Sequence, residues 1–556
     1  MCQVGYSKGM TPASLGQVTT AVRHLHLHPW PAVLCVLILA VARPAVAEPV
    51  SVGAAIATLL ASDRAVLRDA ATAPDLDELR PFYVSRGNRP VWSGTPRSDA
   101  MAEGLLAALR AAPEHGLRTE RYNLAAIDAR RHHAGIREMA EADLLLSDAF
   151  LRHARDLRVG QRPIDGLDPP SLDARALLDD QLAAGRIGFD GLAPAGPEYQ
   201  RLRDALRQHR DLAQRGGWPS LADGPSVKPG MSDDRVTVLR QRLLVTGELA
   251  AGGETAGPQL DETLVAALKA FQRRHGLADD GVLGRSTVAA LNVSAQRRVG
   301  QIIINLERLR SLPRPLEASH LMVNAAAAHL TVVENDVPVL DMPVIVGDAD
   351  HPTPSFRAHV TSVVTNPPWR VPRSIAVKEI LPKLRRDPGY LASNNLTVLK
   401  AIAGDGEADD PSVAVADWSA YGPNNFPFRL RQEPGPDNAL GALKFNVSGS
   451  RDIYLHDTPS RKLFEKPART LSHGCVRLSR PLDLALHLLK AKGWNEERLR
   501  EVVASGKTRT LPLGRKVPLY VVYITAWVDE DGTVQFRDDP YRRDVRLGES
   551  ATRPSS

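Results

Sequence analysis

The residues of this chain best suited to covalent chemistry are Ser472-His473-Gly474-Cys475 and, 19 positions before the cysteine (475 − 456), His456. A thiol attacks as thiolate, so it needs a base or a cation beside it. Two histidines qualify. If the segment is a regular strand, His473 shares the side of Cys475, because residues two apart face the same way. His456, which ends an earlier β-rich run, reaches the sulfur across a sheet instead. Gly474 lets the backbone come close to a substrate, and the Cys475 amide is a candidate for holding an oxyanion. Taken alone, the pattern leaves two readings open: an activated nucleophile, or an inert buried cysteine.

The N-terminus bears on that choice. Pro31 to Val41 is one apolar run with Arg23 before it and Ala45-Val46-Ala47 after it. This is the layout of a cleavable export signal, with cleavage expected after Ala47; an uncleaved anchor is the alternative. The run is about half the roughly 20 residues needed to span a bilayer. Met10 is an alternative start to Met1. Cleavage would remove Cys2, Cys35 and the His24-x-His26-x-His28 tract, and it would leave Cys475 as the sole cysteine. A solitary thiol in an oxidising compartment risks unwanted oxidation, which favours a chemical role for it. Three cysteines in 556 residues exclude a disulfide scaffold. A net charge of +6 from 70 basic and 64 acidic residues gives no electrostatic case for nucleic acid.

The elements that must position these groups change in character along the chain. Residues 48–215 read as a helical domain; Leu105, Leu106 and Leu109 share one helix face, and His115-Gly116-Leu117 marks its exit. Residues 216–230, rich in Pro and Gly, read as a linker. Residues 231–292 form a small three-helix unit, with Asp261 capping its second helix. A connecting helix covers 293–316, and residues 317–544 turn β-rich. Within that domain 374–436 is an insertion, helical at Ile375 to Leu384 and then irregular, carrying Trp418, Tyr421 and Phe426. Asp531-Gly532 signals a terminal hairpin. Residues 545–556 read as a disordered tail. The fold class expected is multidomain α and β: a helical domain, a three-helix module and a mostly-β domain with a helical and loop insertion.

Two sets of motifs carry a family resemblance. Leu268-Lys269-x-Phe271-Gln272-x-Arg274-His275-Gly276-Leu277, then Asp280-Gly281-Val282-Leu283-Gly284, resembles the peptidoglycan-binding-like helical domain. Ile453-Tyr454-Leu455-His456-Asp457-Thr458-Pro459 followed by Ser472-His473-Gly474-Cys475-Val476-Arg477-Leu478 resembles the signature of L,D-transpeptidase catalytic domains. Thr353-Pro354, Asn366-Pro367-Pro368-Trp369 and Lys444-Phe445 agree with it. With Phe82-Tyr83 and Pro90-Val91-Trp92, the whole resembles the large three-part periplasmic members of that family. The chain departs from many small members in carrying Arg477 two residues after the cysteine and Asp457 after the histidine.

The resemblance implies a periplasmic cysteine acyltransferase that needs no metal or cofactor. Its donor is a peptidoglycan stem tetrapeptide, and an amine is its acceptor. Cys475 would be the nucleophile and His456 the base. Gly474 and Cys475 amides would hold the oxyanion, with Ser472 and His473 completing the motif. Arg477, Tyr454, Trp369, Trp418 and Asp457 are candidate substrate contacts, and Arg477 is equally readable as an ion-pair partner within the fold. A monomer is expected, working beside wall synthases or carboxypeptidases that supply tetrapeptide. Carbapenem acylation of Cys475 follows from the same likeness. L,D-carboxypeptidase activity, protein anchoring to the wall and a non-catalytic wall-binding protein are the alternatives.

Overall fold

The structure is a computed structural model. It describes residues 51–546, apart from 63–69, 163, 165, 251–256, 388, 402–406, 410–416 and 450–452. The expected export signal and residues 547–556 of the expected tail lie outside the described residues.

Helices dominate from Val52 to Gln214. The helix Pro96–Ala111 begins with a capping box, in which Thr95 and Ser98 satisfy each other's backbone amides. Its Leu105, Leu106 and Leu109 are buried as their spacing predicts. The helix Ile136–Arg158 is buried along most of its length. Asp143 on it accepts hydrogen bonds from the Val91 and Trp92 amides and from the Tyr83 hydroxyl. Burial pushes that carboxyl up to about 6.

The three-helix module comprises Arg235–Thr246, Glu262–Arg274 and Arg285–Leu291, and the Asp261 side chain accepts from the Leu264 amide. Gln272 bonds Asp280, Val282 and the Gly281 amide, so these motif positions tie the loop to the second helix. The expected linker is anchored rather than loose: the Trp218 indole donates to Val293 O, and the Leu221 amide donates to Asn292.

The β-rich domain is built on β1 (His320–Asn324), β2 (His329–Glu334), β3 (Val337–Gly347) and β4 (Phe356–Thr365). The expected insertion, 374–436, contributes β6 (Leu396–Ala401), β7 (Glu407–Asp409) and β8 (Arg429–Gln432), and it begins earlier than expected, since β5 (Trp369–Val371) pairs with β8. Then come β9 (Leu443–Ser448), β10 (Leu455–His456), β11 (Thr470–Ser472), β12 (Val476–Leu478) and β13 (Arg509–Val522), with a closing hairpin of β14 (Ala526–Val528) and β15 (Val534–Phe536). The main sheet runs β11-β3-β12-β10-β9-β4-β13-β1-β2, and β3 also pairs with β2 and closes the sheet on itself.

The insertion is more ordered than its composition suggests. Its strands form a separate sheet, β5-β8-β6-β7, and Val371, Ile380, Leu384, Trp418, Phe426 and Leu430 make a small core of their own. The expected helix at 375–384 is present, with a π turn at Ala376–Ile380. The helix Ala295–Arg310 joins the domains. Its Asn305 and Arg308 bond the Thr525 hydroxyl, and Arg310 reaches the Tyr199 hydroxyl and His115 O.

Candidate active site

Strand register decides which side chains meet. Leu455 pairs with Val476 in parallel and with Phe445 in antiparallel register, and all three are in the core. Side chains alternate along a strand, so the next pairs turn to the opposite face. There His456 lies between Lys444 on β9 and Arg477 on β12. Tyr454 and Cys475, the residues just before β10 and β12, continue this face: the Tyr454 ring stacks toward His456 and Lys444, and Tyr454, Lys444 and Arg477 all act on the cysteine. The Val476 amide donates to Tyr454 O and extends the ladder up to the cysteine.

His456 is buried, and its Nδ1–H donates to Asp457 O at 2.5 Å. That bond fixes the tautomer and leaves the lone pair on Nε2. Burial, then the nearby Arg477, lowers its pKa to about 3. The ring is therefore neutral at neutral pH. Burial also pushes the Cys475 thiol up, against opposing pulls from Tyr454 hydrogen bonds and from Lys444 and Arg477. The resting pair is thus thiol and neutral imidazole, not thiolate and imidazolium. Lys444 sits with Nζ 4.3 Å from the centre of the Tyr454 ring, whose centroid is 5.7 Å from that of His456.

The segment holding the cysteine is not a regular strand. β11 ends at Ser472, β12 begins at Val476, and Gly474 between them has φ +108°, a conformation side chains rarely adopt. The expectation that His473 and Cys475 face the same way rested on an extended backbone and fails at this turn. The Ser472 hydroxyl donates to Cys475 O and accepts from the Gly474 amide. Because the Gly474 amide is committed there, the oxyanion role expected of it loses its support. Thr353, fully buried, locks the turn by donating to Gly474 O and accepting from the Gly347 amide.

His473 faces a different set of groups. Its Nε2 lies 2.7 Å from Glu379 Oε1, on the π turn of the insertion. Its ring lies 4.5 Å from that of His351, which bonds Asp348 at 3.1 Å.

The remaining candidates separate. Asp457 accepts from the Ala442 amide and pairs with Arg461 at 2.9 Å, so its carboxylate braces the β9–β10 region instead of facing a ligand. Trp418 is buried in the insertion's core against Phe426 and Phe428, which removes it from any groove. Trp369 is half-buried at the edge of that core. Arg477 is half-buried on the cysteine's face and its Nε, although buried, makes no hydrogen bond among the described residues. Sequence reasoning assigned no role to Lys444, Glu379, His351 or Thr353. For Lys444 the signal was available: with Phe445 in the core, strand alternation turns its neighbour to the other face. A cavity of about 770 Å³ lies elsewhere, between Leu277 of the module and Trp527 of the hairpin.

Comparison with known proteins finds the same order of domains. Residues 318–493 match the family model of the L,D-transpeptidase catalytic domain, 77–206 that of the "Scaffold domain", and 232–291 that of the "Putative peptidoglycan binding domain". A Haemophilus influenzae protein named "Putative L,D-transpeptidase" is 37% identical over 279 residues, 49% of this chain and 55% of that relative. The chain thus spans about half the length of the curated relative it matches. Among solved structures, an L,D-transpeptidase from Xylanimonas cellulosilytica is 15% identical with a TM-score of 0.18, covering 54% of this chain and 98% of that one. One from Mycobacterium smegmatis is 14% identical with a TM-score of 0.18, covering 37% and 58%. Scores this low carry no weight for the arrangement of the whole chain.

Proposed function

We propose that this chain, whose residues 318–493 match the L,D-transpeptidase catalytic domain, is a member of that family and a cysteine acyltransferase acting on peptidoglycan stem peptides. The observation that carries the reading is the sheet face shared by His456, Lys444 and Arg477, beside which Cys475 lies just before β12, with His456 held by Asp457 O in the tautomer a base requires.

In this mechanism the thiol proton passes to His456 Nε2 as sulfur attacks the amide between diaminopimelate and the terminal D-Ala of a tetrapeptide. Lys444 and Arg477 offset the charge that forms on sulfur and on the tetrahedral oxygen. Protonated His456 then gives its proton to the departing D-Ala nitrogen, and a thioester remains. An amine resolves the thioester into a 3→3 cross-link. Arg477 would hold a donor carboxylate, since its buried Nε has donor capacity left. The apolar run at 31–41, with Arg23 before it and Ala45-Val46-Ala47 after it, supports action outside the inner membrane; N-terminal sequencing of protein from a native envelope checks the Ala47 cleavage.

The test is incubation of the full chain with disaccharide-tetrapeptide, followed by mass analysis of products. Cross-linked dimers from wild type and none from Cys475→Ala support the reading. Tripeptide alone would make the enzyme a carboxypeptidase, and no turnover by wild type would overturn the proposal.

A further inference from the structure

We infer that Glu379, presented by the insertion beside His473, is the binding group for the ammonium of the acyl acceptor. This rests on the transpeptidase reading and specifies one part of it: the chemical class that enters from the His473 side is a cation.

Charge around the nucleophile is unevenly placed. On the side of His456 the groups acting on Cys475 are the cations Lys444 and Arg477, and Arg370 on β5 adds a third beside Lys444. Such a set suits the carboxylates of a donor peptide and repels an ammonium. On the side of His473 the charged partners are acids. Glu379 stands 2.7 Å from His473, and Asp348 stands behind His351, whose ring is 4.5 Å from that of His473. An acceptor amine is an ammonium at neutral pH, so the acidic side of the cysteine is where it is held at least cost.

The Glu379 side chain is 44% exposed and that of His473 is 36%, so an incoming ligand can reach both. A contact this exposed contributes little to stability, no more than about 1 kcal/mol even when charged. An arriving ammonium can therefore replace His473 on the carboxylate. Glu379 also lies on a π turn, a distortion often found where a helix carries function. Its pull on Arg477 places it within electrostatic reach of the strand that follows the cysteine.

Protons balance as follows. With the ammonium on Glu379, one proton passes to the released His473 imidazole and then to solvent. The neutral amine attacks the thioester carbon, the C–S bond breaks as the amide bond forms, and the amine's second proton returns to the thiolate through His456. Water, the competing nucleophile, gains nothing from Glu379.

The experiment compares full-length wild type, Glu379→Gln and Glu379→Asp on disaccharide-tetrapeptide. It reads the ratio of cross-linked dimer to tripeptide, two products that share one thioester, and the KM for the acceptor. The expected result for Glu379→Gln is a ratio lower by about tenfold and a KM raised to a similar degree, the loss of one charged hydrogen bond. Glu379→Asp should recover most of both. An unchanged ratio in Glu379→Gln overturns the assignment, as does a proportional loss of both products, which is what a structural role would give. Wild type that yields only tripeptide overturns it too. Wild type that forms no acyl-enzyme overturns the transpeptidase reading itself.

Discussion

The closed sheet and the insertion place groups around the same cysteine by different means. In the sheet, Lys444, His456 and Arg477 occupy three neighbouring strands whose pairing is fixed by the core residues beside them, Phe445, Leu455 and Val476. A one-residue slip would bury the charged groups and expose the core, so register and catalytic geometry are one constraint. The insertion has its own sheet and its own small core, and it reaches the site through an exposed Glu379–His473 pair. Groups that must hold sub-ångström geometry thus ride on the sheet. The group that meets an incoming molecule rides on the element less tied to it.

Removing chemistry from the sheet should have the largest effect. Cys475→Ala should lower turnover by about 10⁴-fold or more, measured as D-Ala release, with the fold unchanged by circular dichroism. His456→Gln should cost about 10²- to 10⁴-fold, the usual range for a lost general base. Next come the two cores. Phe445→Ala should destabilise the catalytic domain by about 3–5 kcal/mol and lower its denaturant midpoint. Trp418→Ala should raise hydrogen exchange within 369–432 and leave β9, β10 and β12 protected. Loss of protection in those strands would show that the two regions unfold as one.

The smallest effects come from protonation. Burial raises the Cys475 thiol, so alkylation by iodoacetamide should be slow at pH 7 and climb through pH 9 without a plateau near 6. His456 has a folded pKa of about 3 against about 6.5 unfolded. The unfolded chain therefore binds the proton first. The stability this site contributes is present above pH 6.5 and is lost as pH falls from 6.5 toward 3. His456→Gln should remove that component from a urea-midpoint titration across this range.

Much of the sheet's share of the site was legible in sequence, because Ser472-His473-Gly474-Cys475 and His456 are local patterns whose residue types already state a chemistry. The three-helix module was equally legible from the Asp261 cap and from the motif running from Leu268 to Leu277. What escaped depends on partners distant in sequence. β5 to β8 are short and pair only with one another, so no long alternating run announced them. Glu379 lies 94 positions before His473 (473 − 379) and meets it only through the fold. Trp418 and Asp457 look like binding groups as residue types, but one is needed for the insertion's core and the other for a brace on Ala442 and Arg461. The turn at Gly474 was missed because a three-residue break between strands leaves no periodicity to read.

The central claim is that Cys475, held in its turn just before β12, attacks with His456 of the neighbouring strand as its base. Its most direct test is intact-mass kinetics of carbapenem acylation on wild type and His456→Gln. A single adduct mapped to Cys475 in wild type, forming at least about 10²-fold more slowly in His456→Gln, is the predicted result. Unmodified wild type, or equal rates in both proteins, would contradict it.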